Sequence, residues 1–165
     1  MQLDVIVIPS RGPLSSQWHW SIRSAPAGES GRSGTRLGDS GRILIVEDDL
    51  LIASQMEAAL SDGGFEIAGT ASTGKEALQL AHAKSPTLVV MDIRLVGDLD
   101  GIDTALELFR LHGIRCIFAS AYSDQDAQRR AAPAAPLGWL QKPYSMASLT
   151  AKVRAAIKEL HSRSS

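Results

Sequence analysis

From Arg42 onward, short apolar runs alternate with stretches in which apolar side chains recur at helical spacing. Ile43-Leu44-Ile45-Val46 is a continuous apolar run, the mark of a strand covered on both faces. Ile52, Met56, Ala59 and Leu60 follow at helical spacing, and Gly63-Gly64 ends that helix. Phe65 to Ala71 reads as a second strand. Thr73 with Glu76 three residues on is a capping box, opening a helix through Ala77, Leu78 and Ala81. Leu88-Val89-Val90-Met91 is a third buried strand, and Ile102, Ala105, Leu106 and Phe109 mark the next helix. Cys116-Ile117-Phe118-Ala119 is a fourth strand. Ser123 and Asp126 are candidate caps for a fourth helix, which Pro133 and Pro136 cut short. Trp139-Leu140 is a brief fifth strand. Leu149, Val153, Ala156, Ile157 and Leu160 make the last helix, with Ser145 as its cap.

Five strands alternating with five helices predict an α/β fold, a doubly wound five-stranded parallel sheet with right-handed crossovers. The predicted domain spans residues 42–161. Ahead of it the pattern breaks. Between Ser10 and Gly41 the chain is dominated by Ser, Gly, Pro and Arg, with no sustained apolar period. Such a segment buries too little surface to offset its ordering entropy. Residues 1–41 are therefore predicted to be a disordered N-terminal extension, and Trp18-His19-Trp20 an incidental bulky cluster within it.

Composition narrows the class. Of 165 residues 44% are apolar, and the net charge is −1, so no basic balance points to nucleic acid. No apolar run approaches the roughly 18 residues that would suggest a membrane span. The partly apolar start, Met1 to Pro9, lacks a basic region, and we read it as neither signal peptide nor anchor. Cys116 is the single cysteine, so no disulfide forms within the chain and no Cys/His metal spacing exists. That favours a reducing, cytoplasmic setting, with Cys116 as a small core residue.

In a sheet of this kind ligands sit beyond the carboxyl ends of the strands. Those positions hold Glu47, Asp48 and Asp49, then Asp92, then Ser120, Ala121 and Tyr122, then Lys142 and Pro143. Each alone is ordinary, since acidic residues after a strand are often helix caps and a Lys-Pro pair is usually a turn. Their joint occurrence is the signal. Two carboxylates about 5 Å apart repel by roughly 3 kcal/mol at an effective dielectric of 20. A site crowding Asp48, Asp92 and Glu47 needs a cation, and hard oxygen donors suit Mg²⁺. A carboxylate also serves as a nucleophile towards phosphorus. With the phosphoryl charge spread over three oxygens, Mg²⁺ would cover one, the Lys142 ammonium a second and the Ser120 hydroxyl a third.

Four segments carry a family resemblance: Ile43-Leu-Ile-Val-Glu-Asp-Asp49, Met91-Asp92-Ile-Arg-Leu95, Phe118-Ala-Ser-Ala-Tyr122 and Gly138-Trp-Leu-Gln-Lys-Pro-Tyr144. They resemble the motifs of bacterial two-component response-regulator receiver domains of the stand-alone type, over about Arg42 to Leu160. The resemblance implies strand order 2-1-3-4-5. It implies Asp92 as phosphoacceptor, with Asp92, Asp48 and the Arg94 backbone carbonyl on Mg²⁺ and Glu47 reaching the ion through water. It further implies Ser120 as switch hydroxyl, Trp139 at the aromatic switch position, Lys142 as the family's lysine and an often-cis bond before Pro143. The chain departs from the pattern in three places. Val96 stands where proline is frequent, with one extra residue before Gly101. The fourth helix is broken by prolines. An aromatic, Tyr122, sits two positions after the switch hydroxyl. None of these removes a phosphorylation residue.

The implied function is a phosphoacceptor in a phosphorelay. It would take its phosphoryl group from a sensor histidine kinase or phosphotransfer protein and signal to a separate downstream protein. Such a domain is not an enzyme; it assists its own phosphotransfer and dephosphorylation. A phosphate sink or shuttle, or a pseudo-receiver working without phosphorylation, are the alternatives; the intact Asp48, Asp92, Ser120 and Lys142 argue against the last. A Toprim-like site built on Asp98-Leu-Asp100 would leave Ser120 and Lys142 idle. A haloacid-dehalogenase-like phosphatase would want an acid at position 94, where Arg stands.

Overall fold

A computed structural model describes residues 41–121 and 125–163. The N-terminal extension, Trp18-His19-Trp20, Tyr122 and Ser123 lie outside the described residues. The chain runs β1 (Arg42–Val46), α1 (Leu50–Asp62), β2 (Glu66–Ala71), α2 (Gly74–Lys84), β3 (Leu88–Asp92), α3 (Gly101–His112), β4 (Arg115–Ser120), α4 (Gln125–Ala131), a 3₁₀ turn (Ala132–Ala134), β5 (Gly138–Gln141) and α5 (Met146–Arg163). All strand pairs are parallel, and the order is β2-β1-β3-β4-β5. Among the described residues no helix is long and apolar enough to cross a membrane.

Alternation along the strands splits the core into two layers. Leu44, Val46, Val89, Met91, Cys116 and Phe118 pack against α2 and α3 on one face. Ile43, Ile45, Leu88, Val90, Ile117 and Ala119 pack against α1 and α5 on the other. Every residue of β3 is buried, which explains its uninterrupted apolar run. Each fully buried Leu or Ile stabilises the fold by about 1.5–3 kcal/mol. Cys116 belongs to this core, and burial pushes its thiol up to about 12, so it stays protonated and unreactive.

Local signals act much as their residue types predict. Asp49 caps α1, its Oδ1 accepting from the amides of Leu51 and Ile52 at 2.9 and 3.1 Å. Thr73 caps α2 by accepting from the Glu76 amide at 3.2 Å. The return bond of that capping box is shifted by one residue: the Glu76 carboxylate accepts from the Ser72 amide at 2.8 Å. Ser145 caps α5, accepting from the Ser148 amide at 3.0 Å. The proline-rich end of α4 continues as one 3₁₀ turn containing Pro133. The helix over α5 extends to Arg163, two residues beyond the expected boundary.

Candidate functional site

Because all five strands point the same way, the residues following β1, β3, β4 and β5 gather at one edge of the sheet. Asp92 is the last residue of β3, paired with Ala119 of β4, so Ser120 stands one step beyond it. Lys142 follows β5, and its amide donates to the Ser120 carbonyl at 2.8 Å. The Lys142–Pro143 peptide bond is cis. Glu47 extends β1 by one more backbone bond, its amide donating to the Ala71 carbonyl at 3.0 Å.

The loop after Asp92 folds back on it. The Gly101 amide donates to the Ile93 carbonyl at 2.9 Å, and a Cβ at position 101 would overlap the Asp92 carbonyl oxygen. Only glycine permits that approach, which lets α3 start against the end of β3. The Arg94 amide donates to Asp92 Oδ1 at 3.2 Å, which fixes one oxygen of the carboxylate.

Lys142 ties the cluster together. Its Nζ donates to Asp92 Oδ2 at 2.7 Å and to Glu47 Oε2 at 2.8 Å. Asp92 and Glu47 are only 7% and 2% exposed, so without this ammonium two carboxylates would face each other away from water. Burial raises the Glu47 carboxyl above the usual carboxylate range; the hydrogen bond from Lys142 offsets part of the rise, and the Asp92 charge adds to it. For Lys142 the balance reverses. Burial alone would lower its ammonium, but the hydrogen bonds it donates to Asp92 and Glu47 win and hold it above the ordinary lysine value.

One carboxylate oxygen from each of Glu47, Asp48 and Asp92 lies within 4.8 Å of the others. Asp48 is exposed while its two neighbours are buried, so the cluster opens to solvent on the Asp48 side. Three hard oxygen donors with a solvent-facing opening fit an ion that keeps several waters, and thus fit Mg²⁺. Asp49, third in the acidic run, is spent on capping α1.

On the other flank lies a cleft of about 220 Å³ lined by Ile93, Arg94, Ile102, Ser120, Asp126, Ala127 and Arg130. Arg130, on α4, donates to Asp100 Oδ2 at 2.8 Å and to Asp103 Oδ1 at 3.2 Å. Asp100 is also the N-cap of α3, accepting from the Asp103 amide at 2.8 Å. Sequence reasoning missed this link. The Asp100–Asp103 spacing signals a helix start, but nothing in the sequence pairs it with position 130. Trp139 stacks on Phe118 with ring centres 4.8 Å apart, so the β5 aromatic is packed against β4. His82 and His112 stand away from the site on exposed turns of α2 and α3.

The sequence profile of the response regulator receiver domain matches residues 43–154. The chain belongs to that family. This receiver domain is 35% identical over 116 residues to the transcriptional regulatory protein PdtaR of Mycobacterium tuberculosis, covering 70% of this chain and 56% of PdtaR. It is 32% identical to the phyllosphere-induced regulator PhyR of Methylorubrum extorquens, covering 70% of this chain and 43% of that protein. The chain thus spans about half the length of these curated relatives. Among solved structures it resembles the signal receiver domain of a modulated diguanylate cyclase from Desulfovibrio desulfuricans. That match has a TM-score of 0.69 and 31% identity, covering 75% of this chain and 98% of the other. The response regulator PhyR from Brucella abortus matches with a TM-score of 0.64 and 27% identity, covering 76% of this chain and 51% of that one. The expected receiver strand order is the observed one.

Proposed function

We propose that this receiver domain accepts a phosphoryl group on Asp92 from a histidine kinase or phosphotransfer protein and passes the signal on through protein–protein contacts. The observation that carries the reading is the Lys142 ammonium held between Asp92 and Glu47 beside the open acidic cluster. An Asp92 carboxylate oxygen attacks phosphorus, a P–O bond forms, and the bond from phosphorus to the donor's imidazole nitrogen breaks. The departing nitrogen keeps the electron pair. Lys142, already on Asp92 Oδ2, is placed to stay with the incoming charge, and Ser120 lines the same edge and offers a hydroxyl to a second phosphoryl oxygen. Glu47, Asp48, Asp92 and the Arg94 carbonyl are the proposed holders of Mg²⁺, which when bound supplies charge neutralisation for the carboxylates and the phosphoryl oxygens. In this reading Ser120 and Trp139 carry the switch. The domain assists its own phosphorylation and dephosphorylation and processes no other substrate.

The test is labelling of the purified protein by acetyl phosphate with Mg²⁺. The parent should become phosphorylated and Asp92→Asn should not, because only a carboxylate forms the acyl phosphate. Labelling of Asp92→Asn at the parent rate would move the acceptor elsewhere. A parent that never labels would make the domain a pseudo-receiver.

A further inference from the structure

At the C-terminal ends of α2 and α3, two imidazoles meet. His82 lies in the last turn of α2 and His112 is the last residue of α3, both exposed, with ring centres 5.9 Å apart and planes tilted by 49°. Their backbones are well fixed. Ala77 and Ala81 of α2 share one core layer with Ala105 and Leu108 of α3. Each helix ends just past its histidine in a left-handed cap, Ser85 at φ 46° and Gly113 at φ 67°, with cap amides donating to the Ala81 and Phe109 carbonyls.

We propose that His82 and His112 form a two-imidazole chelate for a divalent transition-metal ion such as Zn²⁺, Ni²⁺ or Cu²⁺. Two imidazoles on one ion, at metal–nitrogen bonds of about 2.0–2.1 Å, hold their ring centres roughly 4.5–6.4 Å apart from cis to trans geometry. The observed separation lies between those limits. Imidazole nitrogen selects this class of ion, whereas the carboxylates of Glu47, Asp48 and Asp92 select hard ions. The field is suitable as well: both rings stand at helix C-termini, where the peptide dipoles favour positive charge. Of the basic residues in the last turns of α2 and α3, Arg110 is paired with Glu107 at 2.7 Å. Because the scaffold holds the second imidazole beside the first, its contribution is one of effective concentration. The remaining coordination positions stay with water.

The experiment uses the full chain, stripped with EDTA and kept in saturating Mg²⁺ so that the acidic cluster does not compete. Ni²⁺ and Zn²⁺ are titrated by calorimetry and by thermal melting. The parent should bind one ion per chain and melt higher. His82→Gln and His112→Gln should each weaken binding by about tenfold or more, as loss of one arm of a chelate requires. His161→Gln, on α5, should bind like the parent. In two-dimensional NMR, Ni²⁺ should broaden signals around residues 82 and 112 first. Equal affinity in parent and His82→Gln, or broadening centred elsewhere, would overturn the proposal. So would no binding at all, which would leave the pair as partners of the two helix ends only. None of these outcomes depends on phosphorylation of Asp92.

Discussion

At the scale of single residues the site is a problem of charge. Lys142 offsets one of the two charges that Glu47 and Asp92 bring, and Asp48 adds a third carboxylate to which the ammonium makes no hydrogen bond. Binding of Mg²⁺ should therefore stabilise the fold by about 1.4 kcal/mol at roughly ten times its dissociation constant, read as a rise in melting temperature. Asp48→Ala should lose that rise. Without metal, the same variant should melt at or above the parent temperature because a source of repulsion is gone. A parent whose melting ignores Mg²⁺ would count against the cluster as a metal site. If Asp92 is phosphorylated as proposed, Arg94 should bear on the lifetime of the phosphoryl group. Its amide is anchored to Asp92 and its exposed side chain borders the cleft beside Ser120. A guanidinium there would pair with phosphoryl oxygens and would not orient an attacking water. Arg94→Asn should speed phosphate loss from the purified protein several-fold; decay at the parent rate would show that this side chain does not gate the water. Tyr122, two positions after Ser120, lies outside the described residues.

Among elements, α4 is the one held least by burial. It is seven residues long with only Ala131 buried, and prolines follow it. Arg130 supplies what packing does not: it ties α4 to Asp100 and Asp103 at the start of α3, at the end of the loop that leaves Asp92. These pairs are half exposed, so their direct contribution is expected to be below about 1 kcal/mol. Their effect should be local. Arg130→Ala should leave the global melting temperature within a few degrees of the parent's. Hydrogen exchange should nevertheless quicken at α4 amides, and Arg130→Lys should restore part of the protection. Unchanged exchange in α4 would mean that the 3₁₀ turn and Ala131 suffice to hold it.

For the whole molecule, both core layers close with residues from 43 to 157. Among the described residues the sheet lies between Arg42 and Gln141. Deleting residues 1–40 should therefore leave thermal stability and acetyl phosphate labelling close to those of the full chain. A marked loss of either would give the N-terminal extension a structural part that its Ser-, Gly- and Pro-rich composition does not suggest.

The sequence by itself determined the strands, the helices and most of the site. Buried parallel strands must be continuously apolar, so Ile43–Val46 and Leu88–Met91 announce themselves, and the fold's chemistry falls at their ends. The caps of α2 and α5 were legible for the same local reason: Thr and Ser side chains bond amides three residues away. Contacts between residues far apart in the chain were not legible. Asp49 and Asp48 look alike in sequence, yet one caps α1 and the other opens the acidic cluster. Nothing near Glu47 in the sequence shows that its carboxylate accepts from an ammonium 95 residues away. The grip of Arg130 on Asp100 and the meeting of His82 with His112 likewise depend on how α4, α2 and α3 lie against one another. Periodicity and capping are properties of a few neighbouring residues, whereas which charges meet is set by helix packing on the finished sheet, and that only the tertiary structure decided.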